Sequence, residues 1–163
     1  MATMKPSAIF NSPVELGLRA LMLLAESHPM PLDIQRLVIL DYLLVHSGDL
    51  QGGPESLHPP SPLRAGEVSI RRGLIEDGLH LFATKGLVTR IADGAGISYA
   101  AEELAAVFLD AITSDYGAAL RSRAAWAVET AGALSDSDAA ALLEVTIGRW
   151  KTEFVVDGTE EEP

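Results

Sequence analysis

No cysteine occurs among the 163 residues. Disulfide staples, thiolate metal sites and cysteine nucleophiles are therefore excluded, and the lack suits a reducing cytoplasm. Basic residues are scarce: 12 Lys and Arg stand against 23 Asp and Glu, for a net charge of −11. The deficit is local. Met1 to Ala100 carries 8 basic and 10 acidic residues, whereas Ala101 to Pro163 carries 4 and 13, or −2 against −9. A phosphate-binding surface in the C-terminal part would meet like charge, so only the middle of the chain could hold one. Long apolar runs are missing too. LVILDYLLV has an Asp inside it and falls well short of the ~20 residues that span a bilayer. The opening MATMKPSAIFNSP lacks the basic-then-apolar order of a secretion signal. The expectation is a soluble cytoplasmic protein.

What is present is apolar. Hydrophobic residues make up 48% and mean hydropathy is +0.20, too high for a disordered chain. The length suits one well-buried domain, or one domain with an extension. Either an alanine- and leucine-rich helical core absorbs this hydrophobicity, or a partner covers part of it.

Ser12, Pro13 and Glu15 form an S-x-x-E capping box with proline at the first helical position. The helix they open has an apolar face of Leu18, Leu21, Met22 and Ala25, and Pro29 and Pro31 end it. Asp33 can cap a second helix reaching about Ser47. Its apolar stripe is wide enough to be covered on two sides. Asp41 sits inside that stripe. Unless it faces water it needs a partner, and Arg19 is the candidate.

A third helix is expected over Glu67 to Lys85, capped by Gly86, with Gly73 and Gly78 marking close packing or a bend. LVTRIADGAGISYA reads as a β-hairpin around Asp93-Gly94-Ala95-Gly96. Further helices are expected over about Ala101 to Ile112 and, capped by Ser114 or Asp115, up to about Leu134. A last helix is capped within Ser135 to Asp138 and striped by Leu143, Ile147, Trp150 and Phe154. The organisation expected is a flexible N-terminus over 1–8, a winged-helix-like domain over 9–100, C-terminal helices over 101–156 and a disordered acidic tail over 157–163. The fold class is mainly α: a winged helix-turn-helix-like part with a β-hairpin wing, then a helical extension. The long loop before the third helix departs from that pattern, where a short turn is normal.

That loop, Gly48 to Pro62, holds three glycines, four prolines, Asp49, Glu55 and His58, with His46 at its entrance. Loops this long in compact domains are commonly functional or disordered. His46, Asp49, Glu55 and His58 are suitable metal ligands by type, but their spacing matches no known ligand pattern. The simpler reading has the acids organising turns while the histidines cap and pack. A metal-dependent hydrolase at His46 and His58 is accordingly the weakest rival. No G-x-S-x-G elbow occurs. Gly52-Gly53 lacks the lysine and Ser/Thr of a Walker A loop. Adjacent acids such as Glu76-Asp77 diverge on a helix. No catalytic residue, metal or cofactor is expected, and the protein is read as a non-enzyme.

Nucleic acid is the other option. Ser61 to Arg90 carries Arg64, Arg71, Arg72, Lys85 and Arg90 against three acids, a local +2. Arg71 and Arg72 lie where a recognition helix would read bases, and Arg90 lies on the wing. The acidic remainder and the lack of a dense basic stripe oppose strong binding. From the residues alone the chain is a small helical interaction domain, with a winged-helix transcriptional regulator as the alternative.

The motifs DYLLVHSGD, GGPESLHP and RRGLIEDGL occur in this order. Together with IFNSPVELGLRALMLL they resemble the middle component of bacterial ABC-three-component systems, the Lamassu-type anti-phage and anti-plasmid defence operons. The resemblance covers Ile9 to Phe154. It implies a small non-catalytic adaptor that bridges an SMC-like ABC ATPase, which senses foreign DNA, and an effector, often a nuclease. Weak DNA contact within the complex is compatible with it, and no membrane is involved. It brings no catalytic residues. His46, Asp49, Glu55, His58, Arg71 and Arg72 are then expected to serve a partner interface or the architecture of the loop.

Overall fold

Local chemistry sets most helix ends. In the computed structural model, which describes residues 12–59 and 64–146 (side chains from residue 69 onward in the second stretch), Ser12 accepts a hydrogen bond from the Glu15 amide at 3.2 Å. It thereby opens α1, Pro13–Ser27. Only this half of the expected capping box forms as drawn, because the Glu15 carboxylate is engaged by Tyr116 and Arg19 instead. Asp33 accepts from the Arg36 amide at 2.7 Å and opens α2, Ile34–Val45. Ser114 caps α5, Asp115–Ala131, through the Gly117 amide. Ser135 caps the next helix, α6, described over 136–146, through the Asp138 amide. Between these lie α3, Arg64–Thr84, and α4, Glu103–Asp110.

The expected hairpin is present as β2, Val88–Asp93, and β3, Gly96–Ala101, paired antiparallel with Asp93 opposite Gly96. The turn is the two residues Gly94-Ala95, held by the Ala95 amide on Asp93 Oδ1 at 2.9 Å. A third strand was not legible in the sequence. Leu32–Asp33 forms β1, antiparallel to β3, with Leu32 opposite Tyr99 and Asp33 opposite Ser98. The sheet order is β1-β3-β2. Two residues are too short to show a period of two.

The architecture is mainly helical with this small antiparallel sheet on one side. Helix α2 is the centre: all ten residues from Arg36 to Val45 are buried, which makes it a helix enclosed all round rather than on two sides. Helices α1, α3 and α5 surround it. The core runs without a break from Leu16 and Leu21 through Leu37, Leu40 and Leu44 to Ile75, Leu109, Leu120, Ala127 and Ala139. Each fully buried leucine contributes about 1.5–3 kcal/mol. Gly78 permits a close crossing of α1 and α3: a side chain on Gly17 would sit 2.8 Å from the Gly78 Cα. Gly78 thus marks close packing, whereas Gly73 faces open space. The stripe residues Ile147, Trp150 and Phe154, the N-terminal 1–8 and the tail 157–163 lie outside the described residues.

Candidate functional site

Asp41, His46, His58 and Arg71 of the three motifs converge beneath the long loop, while Glu55, Arg72 and Glu76 stay exposed. Asp41, in the middle of α2, is completely buried, and so is Arg19 of α1. Arg19 Nε donates to Asp41 Oδ1 at 2.6 Å and Nη2 donates to Oδ2 at 2.9 Å, a bidentate pair. The Arg19 partnership expected for Asp41 is therefore present. Arg71 of α3 reaches the same carboxylate through Nη1, and its guanidinium carbon lies 5.6 Å from the centre of the Tyr42 ring. Arg19 also meets Glu15 at 3.5 Å. Two arginines and two carboxylates thus form a neutral set inside the core.

The set continues towards the loop. Tyr116 of α5 donates its hydroxyl proton to Glu15 Oε1 at 3.0 Å. That leaves the phenol oxygen as the acceptor for His58 Nε2, 2.9 Å away, so His58 holds its proton on Nε2. His46, the C-terminal cap of α2, packs on Tyr42 with ring centres 4.9 Å apart and presents an edge to His58 at 6.4 Å. Tyr42 Oη reaches Asp49 at 3.3 Å.

Electrostatics follow from burial. Burial alone would raise the Asp41 pKa, but Arg19 and Arg71 overcome it and hold the carboxyl below its usual range. Burial raises Glu15, opposed by Arg19. Burial, reinforced by the positive charge of Arg19, pushes His58 down to about 4, so the ring is neutral at pH 7. Tyr116 is raised, first by burial and then by Glu15.

The loop is tied down over its described residues, 48–59. Both the Leu57 and His58 amides donate to the Val45 carbonyl at 3.0 Å. Ser47 Oγ donates to the Glu55 carbonyl, and the Gly48 amide donates to Ser56 Oγ. Arg123 of α5 clasps the same Glu55 carbonyl through Nε at 3.1 Å and Nη2 at 2.9 Å. Glu55 contributes through its backbone while its side chain is exposed. Its carboxylate therefore does not join His46, Asp49 and His58, and among the described residues no His/Cys/Asp/Glu group has the arrangement to hold a metal ion.

The basic residues divide. Arg71 is 2% exposed and faces Asp41. Of the roles expected for it, the architectural one fits this position, and surface contact with nucleic acid does not, because a buried carboxylate draws it inward. Arg72, its neighbour, is exposed and meets Glu76 at 3.4 Å on the same helix. Lys85 and Arg90 are exposed. The side chain of Arg64 lies outside the described residues.

Sequence reasoning missed Tyr116 and Arg123, and also Arg36. Arg36, buried at the start of α2, donates Nη1 to the carbonyls of Ala131 and Gly132 at 2.9 and 3.0 Å. It also donates Nη2 to the Leu134 carbonyl at 2.7 Å and to Asp136 at 2.9 Å. It satisfies the open C-terminal carbonyls of α5 and fixes the turn into α6. Its position within the apolar run IQRLVIL was the available signal.

The buried set locks α1, α2, α3, α5 and the loop to one another. No helix among the described residues is long and apolar enough to cross a membrane. No curated protein and no solved structure is similar enough to match the chain. The motifs whose polar residues make the network belong to a pattern that extends much further: residues 9–153 match the family model for the ABC-three component (ABC-3C) system Middle Component 2, and the chain belongs to that family.

Proposed function

We propose that this chain is a non-catalytic adaptor subunit of a bacterial anti-phage or anti-plasmid defence complex, bridging an SMC-like ABC ATPase and an effector, often a nuclease. The observation that carries the reading is the family match over residues 9–153, since a middle component works among the other components of its system. The geometry supports it. The motif side chains Asp41, His46, His58 and Arg71 are spent on holding a rigid body together, as suits a subunit whose surface is its function. The element order α1-β1-α2-α3-β2-β3 with sheet order β1-β3-β2 supports reading the fold as a winged helix with a lengthened connection before its third helix. In this proposal the wing and third helix meet a protein subunit.

The test is co-expression of the three components with a tag on this chain. Recovery of both the ATPase and the effector in stoichiometric amounts is the expected result. Recovery of neither would sink the adaptor reading.

The winged-helix order also favours a second reading, a DNA-binding regulator. Arg72, Lys85 and Arg90 are its exposed cations, and Arg72 is already matched by Glu76. It predicts binding of duplex DNA by the isolated chain that weakens steeply as salt rises. Absence of a gel shift at low salt removes it.

A further inference from the structure

Helix α4 is apolar on two sides, and the core uses one of them. Ala105 and Leu109 point inward and are buried, and Ile112 follows them, partly buried. Leu104, Val107 and Phe108 point outward and are 59%, 69% and 39% exposed. Ala111, exposed, comes next. The outward set falls at i, i+3, i+4 and i+7, the spacing of a face that meets another helix. Scattered apolar residues on a surface are ordinary, but a row on consecutive turns of one short helix is a patch.

The patch is held firmly. Phe108 packs edge-on against Phe82, with ring centres 5.9 Å apart, and Phe82 is buried in the core of α3. Along its own segment the charge is of one sign. Residues 102–120 contain Glu102, Glu103, Asp110 and Asp115 and no Lys or Arg. The first base beyond them, Arg121, is bound to Asp110 at 3.0 Å. An apolar row rimmed by acid complements an apolar row rimmed by base. A second copy of this chain would bring acid against acid, on a protein of net charge −11.

We propose that the outward face of α4 is a docking seam for an amphipathic helical segment of another protein, apolar at helical spacing and flanked by Lys or Arg. That the segment belongs to another component of the same three-component system rests on the adaptor reading. Leu104, Val107 and Phe108 supply the buried contact, and Glu102, Glu103 and Asp110 set the partner's charge and orientation.

The experiment uses the full chain in the co-expressed three-component complex. A photo-cross-linking phenylalanine derivative replaces Val107, and the joined peptide is identified by mass spectrometry. Leu104→Asp with Val107→Asp is tested alongside by affinity measurement. Both residues are exposed, so melting temperature and circular dichroism should stay unchanged. The expected results are a cross-link to a Lys/Arg-rich amphipathic segment of another component, at least a tenfold loss of affinity in the double variant, and a smaller loss in Glu103→Lys. A cross-link to a second copy, to residues 1–11 of the same chain or to an acidic segment overturns the seam, as does a complex that forms equally well with the double variant. A wild-type chain that captures neither component overturns the adaptor reading, and the seam's assignment with it.

Discussion

Helices α2 and α4 invert the usual distribution of polarity. The twelve residues of α2 carry a carboxylate into the centre of the protein at zero exposure, and the eight of α4 leave a valine 69% exposed. Hydropathy alone assigns neither. What decides is the neighbours. Asp41 is brought to rest between Arg19 and Arg71, which arrive from different helices with matching charge. Val107 lies on the side of α4 away from Ala105 and Leu109, which are buried in the core. The polar interior ties α1, α2 and α3 to one shared carboxylate, so a shift of any of the three would leave a buried charge without its partner. The apolar exterior leaves binding capacity unspent.

The hardest test of that contrast is to place the same kind of error in both helices. Asp41→Ala leaves two arginines buried without their shared carboxylate, and removing one partner of a buried ion pair costs about 3–5 kcal/mol. For a domain whose whole stability is about 5–15 kcal/mol, the expected outcome is a large loss in the urea midpoint or failure to fold. Val107→Asp, by contrast, should shift the midpoint by less than about 0.5 kcal/mol. Equal effects from the two variants would show that Asp41 is not the keystone of the network. Replacing Arg19, Asp41 and Arg71 together by apolar residues should recover much of the loss, since the penalty lies in the uncompensated charge.

The network was half legible. Asp41 stood out because a carboxylate in an apolar helix demands a partner, and Arg19 lay on the preceding helix. Arg71 did not stand out: beside Arg72 on a polar helix it reads as surface charge, and only tertiary packing turns one of the pair inward. The helix caps at Ser12, Asp33, Ser114 and Ser135 were readable because capping is chemistry between residues three apart. Strand β1 was not, since its pairing with β3 spans more than sixty residues and its own two residues carry no pattern. For α4 the periodicity announces an apolar helix without saying which apolar side the core will take. Arg36 was passed over because its partners are backbone carbonyls a hundred residues away, to which composition is blind.

Acid should separate the two regions next. His58 sits at the loop end of the network with its pKa lowered to about 4 from 6.5, by burial first and then by Arg19 and His46. The unfolded chain therefore takes up a proton below pH 6.5 that the folded chain refuses down to about 4. Stability is full above that window and falls as pH drops through it. Asp41, held low in the folded state, adds a further loss at more acid pH, while Glu15, held high, works in the opposite direction. Urea midpoints measured across pH 7 to 4 should decline in the wild type. They should decline less steeply in His58→Gln, whose amide can still meet Tyr116. Identical slopes would show that another group governs the window.

The finest comparison lies within a single helix. Gly73 and Gly78 are both interior to α3 and look alike in sequence, yet a methyl group at Gly73 meets nothing within 4 Å while one at Gly78 would press on the backbone of Gly17 and Pro13. Gly78→Ala forces α1 and α3 apart beside the Arg19 and Arg71 contacts, and overpacking of this kind costs about 1–3 kcal/mol. Gly73→Ala has only the helix to consider. Alanine restricts the unfolded chain and favours the helical backbone, so this variant should gain about 0.5–1 kcal/mol. Paired thermal melts with opposite signs are the expected outcome. A loss at Gly73 would mean that α3 is covered there, and the stretch of α3 from which Arg71 reaches Asp41 would need a different packing.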